Sequence, residues 1–215
     1  MKTLIILFTL LLSLPLSAQN MFQTYRITFE SNWNQRDHVS VPSNAHFSPI
    51  VAVAHNARYM PFPIGGIANS SFEQLAELGR QGPMNNEVME AGRMGLAGDL
   101  QNTENLFVLR NPVQTFTITV SPAHPYFSFV TMIAPSPDWI VGISQMKLYS
   151  NETGFMSVPA VRMPLYAYDG GSEQGDVGGN YSINNPATNP KEPITRLMGP
   201  GFDQPFAFVT IEPMF

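Results

Sequence analysis

The sequence predicts an all-β sandwich interrupted by one short helical excursion. Three observations predict it. Segments that alternate apolar and polar residues recur along the chain. The 19 prolines and 16 glycines punctuate the gaps between those segments and disfavour long unbroken helices. A single stretch, Ser70–Gly79, carries helical spacing with capping residues at both ends.

The elements follow in chain order. Met1–Ala18 (MKTLIILFTLLLSLPLSA) starts with the positive Lys2, continues through the apolar run Leu4–Leu12, and closes on Pro15 and the small residues Ser17 and Ala18. That three-part form predicts a secretory signal peptide over residues 1–18. The run is too short for a spanning helix, which needs about 20 apolar residues. The mature chain, 19–215, is then expected as one domain outside the cytoplasm. Gln23–Glu30 alternates, with Tyr25, Ile27 and Phe29 on one face and Thr24, Arg26, Thr28 and Glu30 on the other. This is a half-buried strand. Gln114–Val120 repeats the pattern, setting Phe116, Ile118 and Val120 against three threonines. Tyr126–Ile133 is mostly apolar, as a central strand is. Trp139–Ile143, Gln145–Tyr149 and Phe206–Glu212 are further strands by their β-branched and aromatic content.

In Ser70–Gly79, Ser70 or Ser71 is the expected cap, and Gly79 the expected stop. Asn86–Gly92 adds a weaker helical turn. Tyr168–Phe202 is rich in Gly, Asn, Pro, Ser and acidic residues. A loop of that length in a compact domain is usually functional or disordered.

Composition narrows the function. Lys+Arg 11 against Asp+Glu 16 leaves a net charge of −5. That sign argues against a general nucleic-acid binder and against polybasic attachment to anionic membranes. The hydrophobic content of 44% is enough for a substantial core. Cys 0 excludes disulfides, thiolate-bound zinc, iron–sulfur clusters and a thiol nucleophile together.

Two segments carry chemistry. Pro135-Ser136-Pro137-Asp138-Trp139 follows an apolar strand and sets Asp138 between a rigid turn and a bulky indole. Asp169-Gly170-Gly171-Ser172-Glu173-Gln174-Gly175-Asp176 spaces three acids with glycines that let a backbone fold tightly. Calcium takes six to eight oxygen ligands at roughly 2.3–2.6 Å. Asp138, Asp169 and Glu173 on neighbouring loops are the candidate metal ligands, with carbonyls and water completing the shell. The same residues also read as solvated loop acids. The spacing does not match an EF-hand.

The segments Tyr25–Trp33, Ala45–Asn56, Phe72–Gly79, Phe127–Ser144 and Asp169–Gly175 run in an order that resembles the spondin domain family, with APSPDW the most specific piece. The resemblance covers about residues 22–200. It implies an antiparallel β-sandwich similar in shape to the calcium-dependent lipid-binding domains. It also implies a calcium ion between the loop of Asp138 and the loop of Asp169 and Glu173. The family's second loop places an Asp four residues after the first; here Glu173 stands at that position, and Asp176 is an alternative.

The histidines are His38, His46, His55 and His124. They are expected as hydrogen-bonded structural residues, because a zinc reading needs further ligands at defined geometry. Glu73 and Glu77, four apart, are expected on the exposed face of the helix. No nucleophile elbow, Walker loop, dinucleotide loop or HExxH occurs. Two functions follow. The first is a secreted, non-enzymatic spondin-like module that binds calcium and contacts a protein, matrix or surface partner in adhesion. The second is a secreted metal-dependent hydrolase using His46 or His55. Lipid contact is a weaker third, resting on fold analogy. An all-oxygen site away from both histidines discriminates for the first.

Overall fold

The computed structural model describes residues 21–157, 159–175, 181–183 and 185–215. The expected signal peptide lies outside these residues. In chain order the elements are β1 (Gln23–Ser31), β2 (His46–Phe47), β3 (Val51–His55), α1 (Ser70–Leu78), α2 (Gln81–Arg93), β4 (Ala97–Asn102) and β5 (Leu106–Phe107). They continue with β6 (Val113–Val120), β7 (Tyr126–Ala134), β8 (Trp139–Lys147), β9 (Tyr149–Ser150) and β10 (Gly154–Phe155). The last are β11 (Val161–Leu165), β12 (Tyr168–Asp169), β13 (Thr195–Arg196) and β14 (Ala207–Pro213).

Two antiparallel sheets face each other. One has four strands in the order β11-β14-β1-β6. The other follows the path β13-β12-β8-β7-β2-β5, with β3 also pairing β7 and carrying β4. Alternation in β1 sends Tyr25, Ile27 and Phe29 inward, where none is exposed, and they meet Phe127, Phe129 and Val141 of the opposite sheet. Phe29 packs edge-on to Phe47 at 5.0 Å, the arrangement that aromatic quadrupoles favour. The outer face of β1 carries Thr24, Arg26, Thr28 and Glu30, so this sheet is wet on one side, as antiparallel sheets permit.

The second sheet is dry on both sides over β7. Phe72, Leu75 and Ala76 of α1 pack on Val51, Val130 and Ile140, on the face away from the first sheet. This double cover explains why β7 reads as a continuous apolar run, with every residue after Tyr126 buried.

Several elements differ from expectation. The helix cap is Asn69, whose Oδ1 accepts from the Phe72 N–H at 2.9 Å, and neither Ser70 nor Ser71 fills that role. Gly79 ends the helix at φ 63, the left-handed value a C-cap glycine supplies. The weak turn expected at Asn86–Gly92 is part of the 13-residue α2. The two strands expected at Trp139–Ile143 and Gln145–Tyr149 are one strand to Lys147. It passes through Gln145 at φ 58, where the register with β7 shifts between Phe127 and Phe129. The Ser128 hydroxyl holds that irregularity by accepting the Gln145 N–H at 2.8 Å. β3 is fully buried, and β4 (AGDLQN) has few β-formers and is held by pairing to β3.

Candidate metal centre

The loop between β7 and β8 closes when Ser136 Oγ accepts the Trp139 N–H at 3.0 Å. Trp139 is then driven into the core, edge-on to Phe202 at 4.9 Å. Asp138, one residue earlier, is carried inside with it and has no exposed surface. β12 pairs with β8 so that Asp169 stands opposite Trp139. That register brings the glycine loop onto Asp138. The Gly170 N–H donates to the Asp138 carbonyl at 3.1 Å.

Gly171 sits at φ +75, and a Cβ there would overlap the Glu192 carbonyl oxygen. Glycine is therefore required at this position, by conformation and by space. The turn points the next amides at the buried carboxylate. Asp138 Oδ2 accepts from the Ser172 N–H at 2.7 Å, from Ser172 Oγ at 3.2 Å and from the Glu173 N–H at 3.0 Å. Asp138 Oδ1 is buried with no hydrogen-bond partner among the described residues. Buried carboxylate oxygens are normally satisfied by a donor or a metal.

Asp169 is the second carboxylate. Its Oδ1 accepts the Gly171 N–H at 2.7 Å. Burial first, and then the neighbouring Asp138 charge, push its pKa up to about 6. Glu173 enters the site through its backbone. Its carboxyl is also pushed up, by burial and then by Glu77, while the Asn185 backbone N–H bonds to it and pulls the other way. Among the described residues, no three His, Cys, Asp or Glu side chains converge as a ready metal cluster. The centre consists of two carboxylates and an unpartnered oxygen. Asp176 lies outside the described residues. A groove of about 520 Å³ opens over Asp169, Glu173 and Glu192.

The histidines stand elsewhere. Among the described residues, none lines the groove over Asp169. His55 is buried, with Nδ1 2.9 Å from the Asn56 carbonyl and Nε2 2.8 Å from Ser128 Oγ. His46 Nδ1 lies 2.7 Å from the Asn44 carbonyl and its ring packs 5.4 Å from Phe107. His38 and His124 bond locally, to Asn34 and to the Ser121 turn.

The helix face differs from expectation. Glu73 and Glu77 are both half-buried against the acidic loop, because α1 packs on the sheet beside it. Lys191 Nζ pairs with Glu73 Oε2 at 2.6 Å. Glu77 has its carboxyl raised by burial, while the Ser172 side chain beside it pulls the other way. Ser172, which donates to Asp138 Oδ2, therefore stands between Asp138 and Glu77. The sequence carried no separate signal for this role, since a serine in a glycine loop reads as a turn residue.

The family profile described as Spondin_N matches residues 23–207. The chain belongs to the spondin N-terminal domain family. It is 31% identical over 188 residues to Spondin-1 of Homo sapiens, which covers 80% of this chain and 21% of that protein. It is 30% identical to Spondin-1 of Gallus gallus over the same length. To Spondin-2 of Rattus norvegicus it is 29% identical over 182 residues, 80% of this chain and 52% of that one. The spondin-like chain thus spans about a fifth of the Spondin-1 length and about half of the Spondin-2 length. Both the APSPDW loop and the DGGSEQG loop fall inside the matched spondin region. Among the described residues, no helix is long and apolar enough to cross a membrane.

Proposed function

We propose that this chain is a secreted, non-catalytic spondin module. It binds calcium between the Asp138 and Asp169 loops and acts in extracellular or surface adhesion by contacting a protein or matrix partner. One observation carries the metal reading: Asp138 Oδ1 is buried and unpartnered beside a second carboxylate, Asp169. A hard divalent cation satisfies that oxygen and removes the repulsion between the two charges. Asp138 and Asp169 would hold the ion. Glu173 would add its carboxylate by giving up the Asn185 N–H.

Bound calcium supplies charge neutralisation and order. The chain's own residues supply the rest. Gly171 permits the turn, and the Ser172 and Glu173 amides fix Asp138 Oδ2 so that Oδ1 stays aimed at the site. The all-oxygen chemistry of this centre, apart from His46 and His55, favours the adhesion module over the hydrolase.

The test is thermal unfolding of the metal-stripped mature chain across a calcium titration, beside Asp138→Asn and Asp169→Asn. The expected result is saturable stabilisation of the parent that both variants lose, since a ligand of the folded state raises stability by mass action. An unmoved parent midpoint up to millimolar calcium withdraws the calcium mechanism.

A further inference from the structure

A second groove, of about 410 Å³, lies on the other side of Glu77 from the metal centre. Its walls are largely apolar, formed by Leu78 of α1 and by Met132, Ala134 and Pro135 at the end of β7. Among the described residues, Glu77 is the one acidic residue of the lining, and its other polar residues are His46, Asn44, Ser48 and Asn105. The His46 Nδ1 must donate to the Asn44 carbonyl 2.7 Å away, because a carbonyl has no proton to give. In the neutral ring, Nε2 is then an acceptor. Among the described residues, no lysine or arginine lines the groove. Glu77 lines this groove and not the one over Asp169. Lys191, whose charge reaches Glu77, is bonded to Glu73.

The groove therefore offers one carboxylate and no cationic side chain among the described residues, on largely apolar walls. A partly desolvated carboxylate in such a place is complementary to a cation with an apolar stem. Arginine fits better than lysine. Its planar guanidinium is weakly hydrated, meets a carboxylate with two parallel N–H bonds, and stacks on flat rings. Guanidinium–ring contact of this kind occurs beside His46, where the Arg110 guanidinium lies 5.8 Å from the centre of Phe107, the ring that His46 packs against.

We propose that this groove receives an arginine side chain presented by a partner polypeptide, with Glu77 as its counter-ion and His46 as a second acceptor. The groove shares no lining residue with the groove over Asp169, although the Glu77 charge reaches Asp138 and Glu173.

The experiment is amide NMR of the full mature chain, titrated in EDTA with N-acetyl-Gly-Arg-Gly amide and, separately, with its citrulline analogue. Citrulline keeps the shape and removes the charge. The expected result is saturable shifts at Leu78, Gly79 and Met132 with the arginine peptide alone, weakened at least about tenfold in Glu77→Gln. An unchanged unfolding midpoint for Glu77→Gln shows that the variant is folded. Equal shifts with citrulline, equal affinity in the variant, no saturable shifts, or shifts centred on Asp169 and Glu192 would each overturn the proposal. The calcium titration on the parent is read independently, so loss of one site leaves the other standing.

Discussion

The Ser172 N–H lies 2.7 Å from Asp138 Oδ2, a bond between residues 34 apart in the chain. It ties the β7–β8 turn to the glycine loop and fixes which oxygen of Asp138 is satisfied. With the Ser172 hydroxyl and the Glu173 N–H on the same oxygen, Oδ1 is left without a hydrogen-bond partner among the described residues.

Gly171→Ala tests whether the loop is built as described. The substitution puts a side chain at φ +75 and onto the Glu192 carbonyl. We expect a loss of about 2–4 kcal/mol in urea unfolding and loss of stabilisation by calcium. A variant within about 0.5 kcal/mol of the parent, the range of neutral surface changes, would show that the loop does not hold this turn.

The Asp169 carboxyl predicts a pH dependence. Its folded pKa of about 6 lies above its unfolded value, near 3.9. The folded chain therefore holds more protons between those values. In metal-free protein, the Asp169 contribution is fully present below about pH 4 and is lost as the pH rises through about 6. It is isolated as the difference between parent and Asp169→Asn, because His38 and His55, pulled down by burial, act in the opposite sense. Calcium competes with that proton, so its stabilisation should grow over the same window. Identical pH profiles for parent and variant would refute the pairing with Asp138.

Ser128→Ala removes a hydroxyl that serves two partners, the buried His55 Nε2 and the half-buried Gln145 N–H. Each orphaned group costs roughly 1–3 kcal/mol. The expected loss is about 2 kcal/mol or more, measured by chemical denaturation, with little change in calcium affinity because the residue lies away from Asp138. A large calcium effect would mean that β7 transmits strain to the site.

Asn69→Ala tests the helix cap. Asn69 caps α1 through the Phe72 N–H, and its Nδ2 donates to Glu87 Oε2 at 3.0 Å. We expect a loss of about 1 kcal/mol. Ser70→Ala should move the midpoint far less, and the reverse ranking would return the cap to Ser70.

Much of the sandwich was legible because its strands are half-buried. Period-2 alternation in Gln23–Ser31 and Val113–Val120 records a wet face and a dry face, and both segments are strands in register with each other. The failures have physical causes. Ala97–Asn102 lacks β-formers and is a strand only because Val51–His55 offers it hydrogen bonds. The gap left at Ser144 between two expected strands lies inside one strand, because local propensity does not see the Ser128 hydroxyl that accommodates the positive φ of Gln145. Asn69 holds the capping role expected of Ser70 or Ser71, since the three residues compete locally and only the packed helix selects one.

The candidate centre divides in the same way. The residue types were written in the chain: Asp138 after two prolines, and Asp169 and Glu173 spaced by glycines. By itself the sequence determined the strand-rich class, the absence of thiol chemistry and the two loops that carry Asp138, Asp169 and Glu173. The tertiary structure decided the rest. It buried Asp138 completely, left Oδ1 without a hydrogen-bond partner among the described residues, and drew the Glu173 amide toward Asp138. It also turned Glu77 from an expected surface residue into a half-buried wall between two grooves. Burial and convergence depend on contacts between segments far apart in the chain, and local spacing carries no record of those contacts.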